Sequence, residues 1–173
     1  MTYLDTPEQS PLFSSDMARL GYVANYTKVF ALRPEAYAAW QQLAGEIKRG
    51  MDERLYELVT IAAAKQLGSQ YCLAAHARAL GGRFYDDATV RKIVADHRSA
   101  GLDPLDVTIM DFAERAATAP DAIRQKDVTA LRATGLSDVE IMQVVLAVAA
   151  RRFFTSVLHA TGTEPDGALT TWL

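Results

Sequence analysis

The sequence contains a single cysteine, Cys72, among 173 residues. A disulfide-stabilised fold is thereby excluded, and so is an enzyme cycle that closes a disulfide within one chain. A chain of this length can still bury about 70% of its unfolded surface in one core. We therefore expect one domain over residues 1–173. Residues 1–13, with Pro7 and Pro11, are expected to form an N-terminal arm that frays or docks on a neighbour.

Long apolar runs and basic blocks are also missing. The longest unbroken apolar run extends only from Val144 to Ala150, which is far shorter than the roughly 20 residues of a membrane span, and no secretory leader is recognisable. The net charge is −3 and no basic cluster is interleaved with aromatics, which argues against a nucleic-acid surface. We therefore expect a cytoplasmic protein whose partners are small molecules or proteins, with no membrane and no nucleic acid.

The alternation of apolar and polar residues that a half-buried strand requires is absent from the sequence. Apolar residues instead recur at helical spacing, and the abundant alanine favours helices. We predict an all-α fold in which the last helix is central and opens with a Ser137–Glu140 capping box. The helices are predicted over residues 16–32, 34–50, 52–67, 69–82, 87–101, 103–120, 127–134 and 137–162.

Cys72 occupies a position that suits thiol chemistry. Ser69 follows Gly68 and is predicted to cap a helix in which Cys72 is the third residue. The unpaired N–H groups and partial positive charge of a first helical turn favour a thiolate. His76 lies one turn further on and shares a helix face with Cys72. The alternative is that Cys72 is simply a small buried hydrophobic residue, as most lone cysteines are.

The preceding segment, residues 52–67, has the pattern of a capped amphipathic helix that ends before a glycine. Glu57 lies at the border of its apolar stripe, where it either faces a partly dry pocket or is solvated like most glutamates. The stripe itself comprises Leu55, Leu58, Val59 and Ala62.

Together these residues resemble the alkylhydroperoxidase D-like and carboxymuconolactone decarboxylase superfamily. Its pattern is a glutamate, eleven residues, Cys-x-x-Cys, three residues and a histidine. Glu57, Cys72 and His76 match this spacing, and Ser69 stands in the place of the first cysteine. The resemblance extends over roughly residues 34–165.

The resemblance implies both a fold and a chemistry. The fold is an alkylhydroperoxidase D-like helical bundle, which we expect to form a homo-oligomer through the arm and the first two helices. Cys72 matches the peroxide-reactive second cysteine, while Glu57 and His76 match its proton relay. Because Ser69 cannot form a disulfide, an oxidised Cys72 would need an external thiol reductant.

Other polar residues receive supporting roles in this interpretation. Ser69 is expected to be a helix cap, and Tyr71 a packing residue beside the site. His159, on the last helix, is a candidate to approach Cys72 from a facing helix, although a packing or surface role is the more common one for such a residue. His97 continues an apolar stripe and is expected in the core or at its boundary. The three histidines match no metal-site spacing, so we predict neither a metal nor another cofactor.

Three functions are compatible with the sequence. The first is a peroxidase-like thiol enzyme, in which Cys72 attacks hydrogen peroxide or an organic hydroperoxide and His76, oriented by Glu57, relays a proton. The second is a decarboxylase-like lyase, in which Glu57 and His76 move protons on a small lactone or keto acid without sulfur chemistry. The third is a non-enzymatic oligomeric binding module in which the motif only packs.

Overall fold

The computed structural model describes residues 2–172, and its regular structure is helical throughout this range, which confirms the all-α prediction. Three short 3₁₀ turns, His97–Ser99, Pro120–Ala122 and Gly167–Trp172, accompany the α-helices. In chain order the α-helices are α1 Pro11–Leu20, α2 Asn25–Phe30, α3 Pro34–Arg49, α4 Glu53–Gln66, α5 Gln70–Gly81, α6 Asp87–Asp96, α7 Pro104–Thr118, α8 Gln125–Ala133 and α9 Asp138–Ala160.

Helix α4 lies at the centre of the fold and packs against α5, α7 and α9. Its residues Tyr56 to Ala64 are all buried, whereas Leu55 is only partly so. The predicted single apolar stripe is therefore wrong for this helix, because neighbours cover every side of it. Glu57 consequently lies in the interior, with 4% of its surface exposed, rather than at a solvated border.

Helix α9 is the longest helix in the described range and packs against α3, α4, α7 and α8. Its mean hydropathy reaches 1.5 over 18 residues, so by length and composition alone it would also suit a membrane span. In the fold 44% of that window is buried, and the buried residues Val144, Val148 and Leu158 face the neighbouring helices. The central helix is α4 rather than the predicted last helix.

Side-chain caps set the beginnings of the two helices, α4 and α5, that carry Glu57, Cys72 and His76. The Asp52 carboxylate accepts a hydrogen bond from Leu55 N at 2.9 Å and begins α4. Ser69 Oγ accepts one from Cys72 N at 3.3 Å and begins α5. Between them, Gly68 has φ +67°, a left-handed conformation that lets the chain reverse direction at the predicted break.

The N-terminal region differs from the prediction of one helix over residues 16–32. The structure has two helices, because the chain turns at Gly21 with φ +80° and Asp16 accepts a hydrogen bond from Ala24 N at 3.0 Å across the turn. Helix α1 also begins at Pro11, inside the range expected to be an arm. The remaining arm docks on the end of α9 in the same chain, where Tyr3 N donates to Thr161 O at 2.8 Å.

Helix α3 turns only part of its predicted apolar face to the core. Tyr37 and Ile47 are buried, but Leu43 is 54% exposed. Met142 and Phe153 on α9 are exposed to a similar degree. Homo-oligomerisation stays a prediction, and these side chains are apolar surface that an oligomer would cover.

Candidate active site

Side chains from α4, α5 and α9 meet in one cavity of about 540 Å³. Glu57 comes from α4, Cys72 and His76 from α5, and Arg151 from α9. The sequence predicted the first three as a group, and the structure brings them together at this cavity. Six aromatic side chains also line it, namely Tyr26, Tyr37, Trp40, Tyr56, Tyr71 and Phe154.

Glu57 and His76 form a close pair, with His76 Nδ1 2.5 Å from Glu57 Oε2. Lys48 Nζ lies 3.6 Å from the other carboxylate oxygen. Burial alone would raise the pKa of Glu57, but its interactions with His76, which include a hydrogen bond, and with Lys48 and Arg151 outweigh it and hold that pKa below its usual value. Glu57 is therefore ionised at neutral pH.

The pKa of His76 is also lowered, by burial first and by the nearby positive charge of Arg151 second, against the opposing effect of Glu57. His76 is therefore neutral at pH 7. In that state Nδ1–H donates to the Glu57 carboxylate, so Nε2 is the basic nitrogen of the ring. A neutral histidine that a carboxylate orients in this way can act as a general base.

Cys72 lies at the bottom of the cavity, with only 2% of its surface exposed. Two groups from α9 contact its sulfur. Arg151 Nη1 donates to Sγ at 3.3 Å, and Thr155 Oγ1 lies 3.6 Å from Sγ. The sulfur therefore has both a cation and a hydroxyl within contact distance.

Arg151 is an unusual buried cation. It is 6% exposed and forms no salt bridge with any carboxylate within residues 2–172, and its Nε has no hydrogen-bond partner. Burial lowers the pKa of Arg151, but interactions with Cys72 and Tyr56 more than compensate and keep it above its usual value. The guanidinium also lies 5.6 Å from the centre of the Phe154 ring, which provides a cation–π contact.

A buried charge without a counter-ion is costly. The sulfur of Cys72 is the contacting group best able to supply a negative charge to Arg151. Sequence reasoning did not single out Arg151 as a site residue. The only local signal is a pair of arginines inside the long apolar stretch of the last helix.

Ser69 and Tyr71 support the site without lying at the sulfur. Ser69 is 1% exposed and caps α5, as predicted. The Tyr71 hydroxyl donates to Asp166, which also accepts a hydrogen bond from Asn25 N at 2.9 Å. Tyr71 thus ties the helix of Cys72 to α2 and to the C-terminal segment.

His159 is exposed and lines a different surface cavity, together with Ser69 and Tyr71. Of the two roles considered for His159, the structure has the surface one, and the approach to Cys72 is not found. Thr155, one helical turn earlier on α9, is the residue that faces the sulfur.

His97 is 1% exposed, as expected of a core residue, and its Nε2 lies 2.8 Å from Asp111 Oδ1. With Glu114 it forms a cluster whose potential ligand atoms lie within 4.8 Å of one another, a geometry that the sequence spacing did not indicate. Arg98 Nη2 lies 2.6 Å from Asp111 and 2.7 Å from Glu114. These ion pairs already balance the acids, so the cluster is a charge network as it stands.

Comparison with known proteins agrees with the all-α fold. Residues 34–114 match the model of the carboxymuconolactone decarboxylase family. The structure resembles an alkylhydroperoxidase AhpD core, an uncharacterized peroxidase-related protein from Ralstonia eutropha JMP134, with a TM-score of 0.87 at 18% identity, covering 97% of this chain and 94% of that one. Residues 34–114 are thus similar to this family, and the described chain has the alkylhydroperoxidase D-like fold.

Two further members of this fold are similar. An uncharacterized peroxidase-related protein from Silicibacter sp. TM1040 is 25% identical, with a TM-score of 0.87 and coverage of 97% of this chain and 93% of that one. A debrominase in complex with 2,3,4-tribromopyrrole is 17% identical, with a TM-score of 0.83 and coverage of 99% and 96%. A search of curated proteins finds no match to the chain. The alkylhydroperoxidase D-like fold supports a peroxidase-related or similar enzymatic activity on a small molecule.

Proposed function

We propose that this chain is a thiol-dependent peroxidase that reduces an organic hydroperoxide at Cys72. The observation that carries the proposal is the contact between Arg151 Nη1 and Cys72 Sγ at 3.3 Å, in a place where the guanidinium forms no ion pair with a carboxylate among residues 2–172. An arginine beside a cysteine is a recognised way to stabilise a thiolate, which is the nucleophilic form of the residue. A residue that only packed in the core would not require a buried cation.

The proposed reaction uses two pairs of side chains, Cys72 with Arg151 and His76 with Glu57. Neutral His76 accepts the proton of the Cys72 thiol, and Glu57 stabilises the imidazolium that results. The thiolate attacks the terminal oxygen of the hydroperoxide, the O–O bond breaks, and the leaving alkoxide takes the proton back from His76. The products are a Cys72 sulfenic acid and an alcohol, so the sulfur is oxidised by two electrons and the peroxide is reduced by two.

The size of the cavity indicates the substrate class. About 540 Å³ lies within the range of sites that bind drug-sized molecules. The wall carries six aromatic side chains as well as polar and charged ones such as Arg19, Gln41 and Lys48. Hydrogen peroxide would leave most of this space empty, whereas the apolar part of an organic hydroperoxide would fill it.

Mass spectrometry of the intact chain tests the proposal. Treatment with one equivalent of cumene hydroperoxide should add one oxygen per chain, consume one thiol and release one equivalent of alcohol. The Cys72→Ser variant should gain nothing, and the His76→Gln variant should react more slowly. An unchanged mass in a protein whose Cys72 still reacts with iodoacetamide would refute the peroxidase. A Cys72→Ser variant that retained turnover of a lactone or keto acid would favour the decarboxylase-type lyase.

The aromatic wall and the similarity to the debrominase favour one second candidate, the reductive removal of a halogen from a small aromatic compound. In that reaction the Cys72 thiolate would take the halogen from carbon, a proton would replace it, and an external thiol would release halide from the sulfur. Bromide release from 2,3,4-tribromopyrrole in the presence of a thiol, lost in Cys72→Ser, would support this candidate over the peroxidase.

A further inference from the structure

A second concave surface adjoins the site cavity. This groove, which we name the arginine groove, has a volume of about 390 Å³ and is lined by Arg19, Arg78 and Arg83 together with Tyr22 and Tyr26. It shares part of its wall with the site cavity, namely Arg19, Tyr26, Tyr71 and Ala75. The two spaces therefore meet along α5. The site cavity covers the first half of this helix, and the arginine groove covers the second.

We propose that the arginine groove binds the carboxylates of a small peptide thiol, the external reductant that returns oxidised Cys72 to its thiol. The inference rests on the proposed function, because it names the partner of the second half of that catalytic cycle. A concave groove of this volume suits a small molecule rather than the flatter surface of a protein reductant.

Charge is the first argument for an anionic partner. Arg19 pairs with Asp16 at 2.9 Å, and Arg83 pairs with Glu53 at 2.5 Å. Arg78 is exposed and forms no salt bridge with any carboxylate within residues 2–172.

The groove wall also contains one acid, Asp166, but its two oxygens already accept hydrogen bonds, from the Tyr71 hydroxyl and from Asn25 N. Arg78 is therefore the cation available to a ligand, and a guanidinium can hold a carboxylate through two parallel hydrogen bonds.

Distance is the second argument. Arg78 follows Cys72 by six residues on α5, which corresponds to about 9 Å along the helix axis. An extended peptide rises about 3.3–3.6 Å per residue, so two or three residues cover this span. A cysteine-containing di- or tripeptide can thus place its sulfur at Cys72 while a terminal carboxylate reaches Arg78.

The oxidation state of Cys72 is the third argument. Conversion of the thiolate to a neutral sulfenic acid removes the anion that faces Arg151. The oxidised site then contains a buried cation without a partner, which favours the approach of a negatively charged thiolate. The reduced site, in contrast, repels a second thiolate. The site therefore attracts an anionic reductant after Cys72 has been oxidised and not before.

The chemistry balances with two molecules of thiol. The first condenses with the sulfenic acid of Cys72 to give a mixed disulfide and water. The second attacks the outer sulfur of that disulfide, and Cys72 leaves as a thiolate that Arg151 stabilises. The two peptide thiols end as one disulfide and supply the two electrons that the sulfenic acid consumes.

Stopped-flow reduction of the preformed sulfenic acid tests the arginine groove. Glutathione and its diethyl ester share the same thiol group but differ in their free carboxylates. The wild-type protein should react about fivefold faster with glutathione, the effect of an ion pair of about 1 kcal/mol. The Arg78→Gln variant should lose this preference, and Arg78→Lys should recover part of it.

A matched control uses Arg152, an exposed arginine on α9 that lines neither cavity and forms no salt bridge in the described range. Arg152→Gln removes the same charge and should keep the preference for glutathione. For each protein the rate with glutathione is divided by the rate with the diethyl ester. Intrinsic differences in reactivity between the two thiols cancel when this ratio is compared between variant and wild type. Equal rates for glutathione and its ester in the wild type, or an equal loss of both rates in Arg78→Gln, would overturn the proposal.

A binding measurement separates this proposal from the peroxidase itself. If no sulfenic acid forms, the proposed function fails, but the groove can still be tested with unreactive S-methylglutathione. Titration calorimetry should show binding to the wild-type protein that weakens about fivefold in Arg78→Gln. The absence of binding, or equal dissociation constants for the two proteins, would refute the arginine groove independently of peroxide chemistry.

Discussion

Arg151 Nη1 lies 3.3 Å from Cys72 Sγ, and this guanidinium forms no salt bridge with a carboxylate in the described range of residues 2–172. The contact places a positive charge beside the Cys72 sulfur. It also provides the Arg151 guanidinium with a hydrogen-bond acceptor. Reactivity and stability therefore depend on the same pair. Replacement of either residue should affect both properties, in directions that can be separated experimentally.

The first prediction concerns the reactivity of Cys72. Arg151→Met preserves much of the volume of the side chain but removes its charge, so the thiolate loses its stabilising partner. The rate of alkylation by iodoacetamide at pH 7 should fall by about tenfold, which corresponds to about 1.4 kcal/mol. Arg152→Met, on the exposed side of the same helix, should leave the rate unchanged. An unaltered rate in Arg151→Met would show that Arg151 is only structural.

The second prediction concerns stability. Cys72→Ala should lower the free energy of unfolding by about 2 kcal/mol, because it leaves the buried Arg151 guanidinium without the sulfur that accepts its hydrogen bond. The double variant Cys72→Ala/Arg151→Met should recover most of this loss, since no charge then remains unpaired. Urea unfolding of the four proteins measures the coupling. Additive effects of the two substitutions would contradict a direct interaction between the two side chains.

The third prediction concerns pH. The pKa of His76 is lowered in the folded protein, whereas an unfolded histidine titrates near 6.5. Just below pH 6.5 the unfolded chain therefore binds a proton that the folded protein does not. The contribution of His76 to the free energy of unfolding is therefore complete above pH 6.5, and it should decrease as the pH drops below that value. Glu57, with its lowered pKa, adds a loss of the same sign at more acidic pH.

Urea midpoints between pH 8 and pH 5 measure this dependence. His76→Gln keeps a donor for the Glu57 carboxylate but does not titrate, so its stability should change less over the same interval. His159→Gln removes an exposed histidine away from the cavity and should keep the wild-type slope. If the urea midpoint of His76→Gln changed with pH as much as that of the wild type, the pH dependence would have to be assigned to other groups.

The fourth prediction concerns the serine in place of the first superfamily cysteine. Ser69→Cys places a second sulfur three residues before Cys72, within the α5 cap. After peroxide treatment this variant should form an internal disulfide and lose two hydrogens in mass, whereas the wild type keeps the added oxygen. Loss of the cap should reduce stability by about 1 kcal/mol. A variant that accumulates only the sulfenic acid would show that the two sulfurs cannot meet.

The fifth prediction concerns the docking of the N-terminal arm. Gly162 has φ +61°, and a Cβ there would overlap the ring of Tyr3. Gly68 has a similar φ of +67° with open space around it. Both alanine variants should lose about 1 kcal/mol through backbone strain. Only Gly162→Ala should also release the arm, which limited proteolysis near Tyr3 would detect as faster cleavage.

Sequence reasoning succeeded where the controlling interactions are local. The caps at Ser69 and Ser137 depend on residues within the next three positions, and both form as predicted. The pairing of Glu57 with His76 was implied by the resemblance to the superfamily pattern, whose spacing the two residues match. The Gly68 turn between these helices brings the two side chains within 2.5 Å.

Sequence reasoning failed where a distant helix decides the environment. The contact of Arg151 with Cys72 spans 79 residues, and nothing in the sequence next to either residue indicates it. Glu57 was placed at a border because a single buried face was assumed, whereas α4 is surrounded. His159 was placed one turn too far along α9, since the sequence does not determine which turn of that helix lies opposite the sulfur.

The order of the site residues along the chain has a consequence for protein synthesis. Glu57, Cys72 and His76 lie within 20 consecutive residues, whereas Arg151 follows Cys72 by 79 residues. At translation rates of about 5–20 residues per second, α9 emerges from the ribosome about 4–16 s after the cysteine. A nascent chain therefore carries the sulfur before Arg151 has been synthesised. Any reactivity that depends on the contact between the two side chains can appear only after α9 has docked.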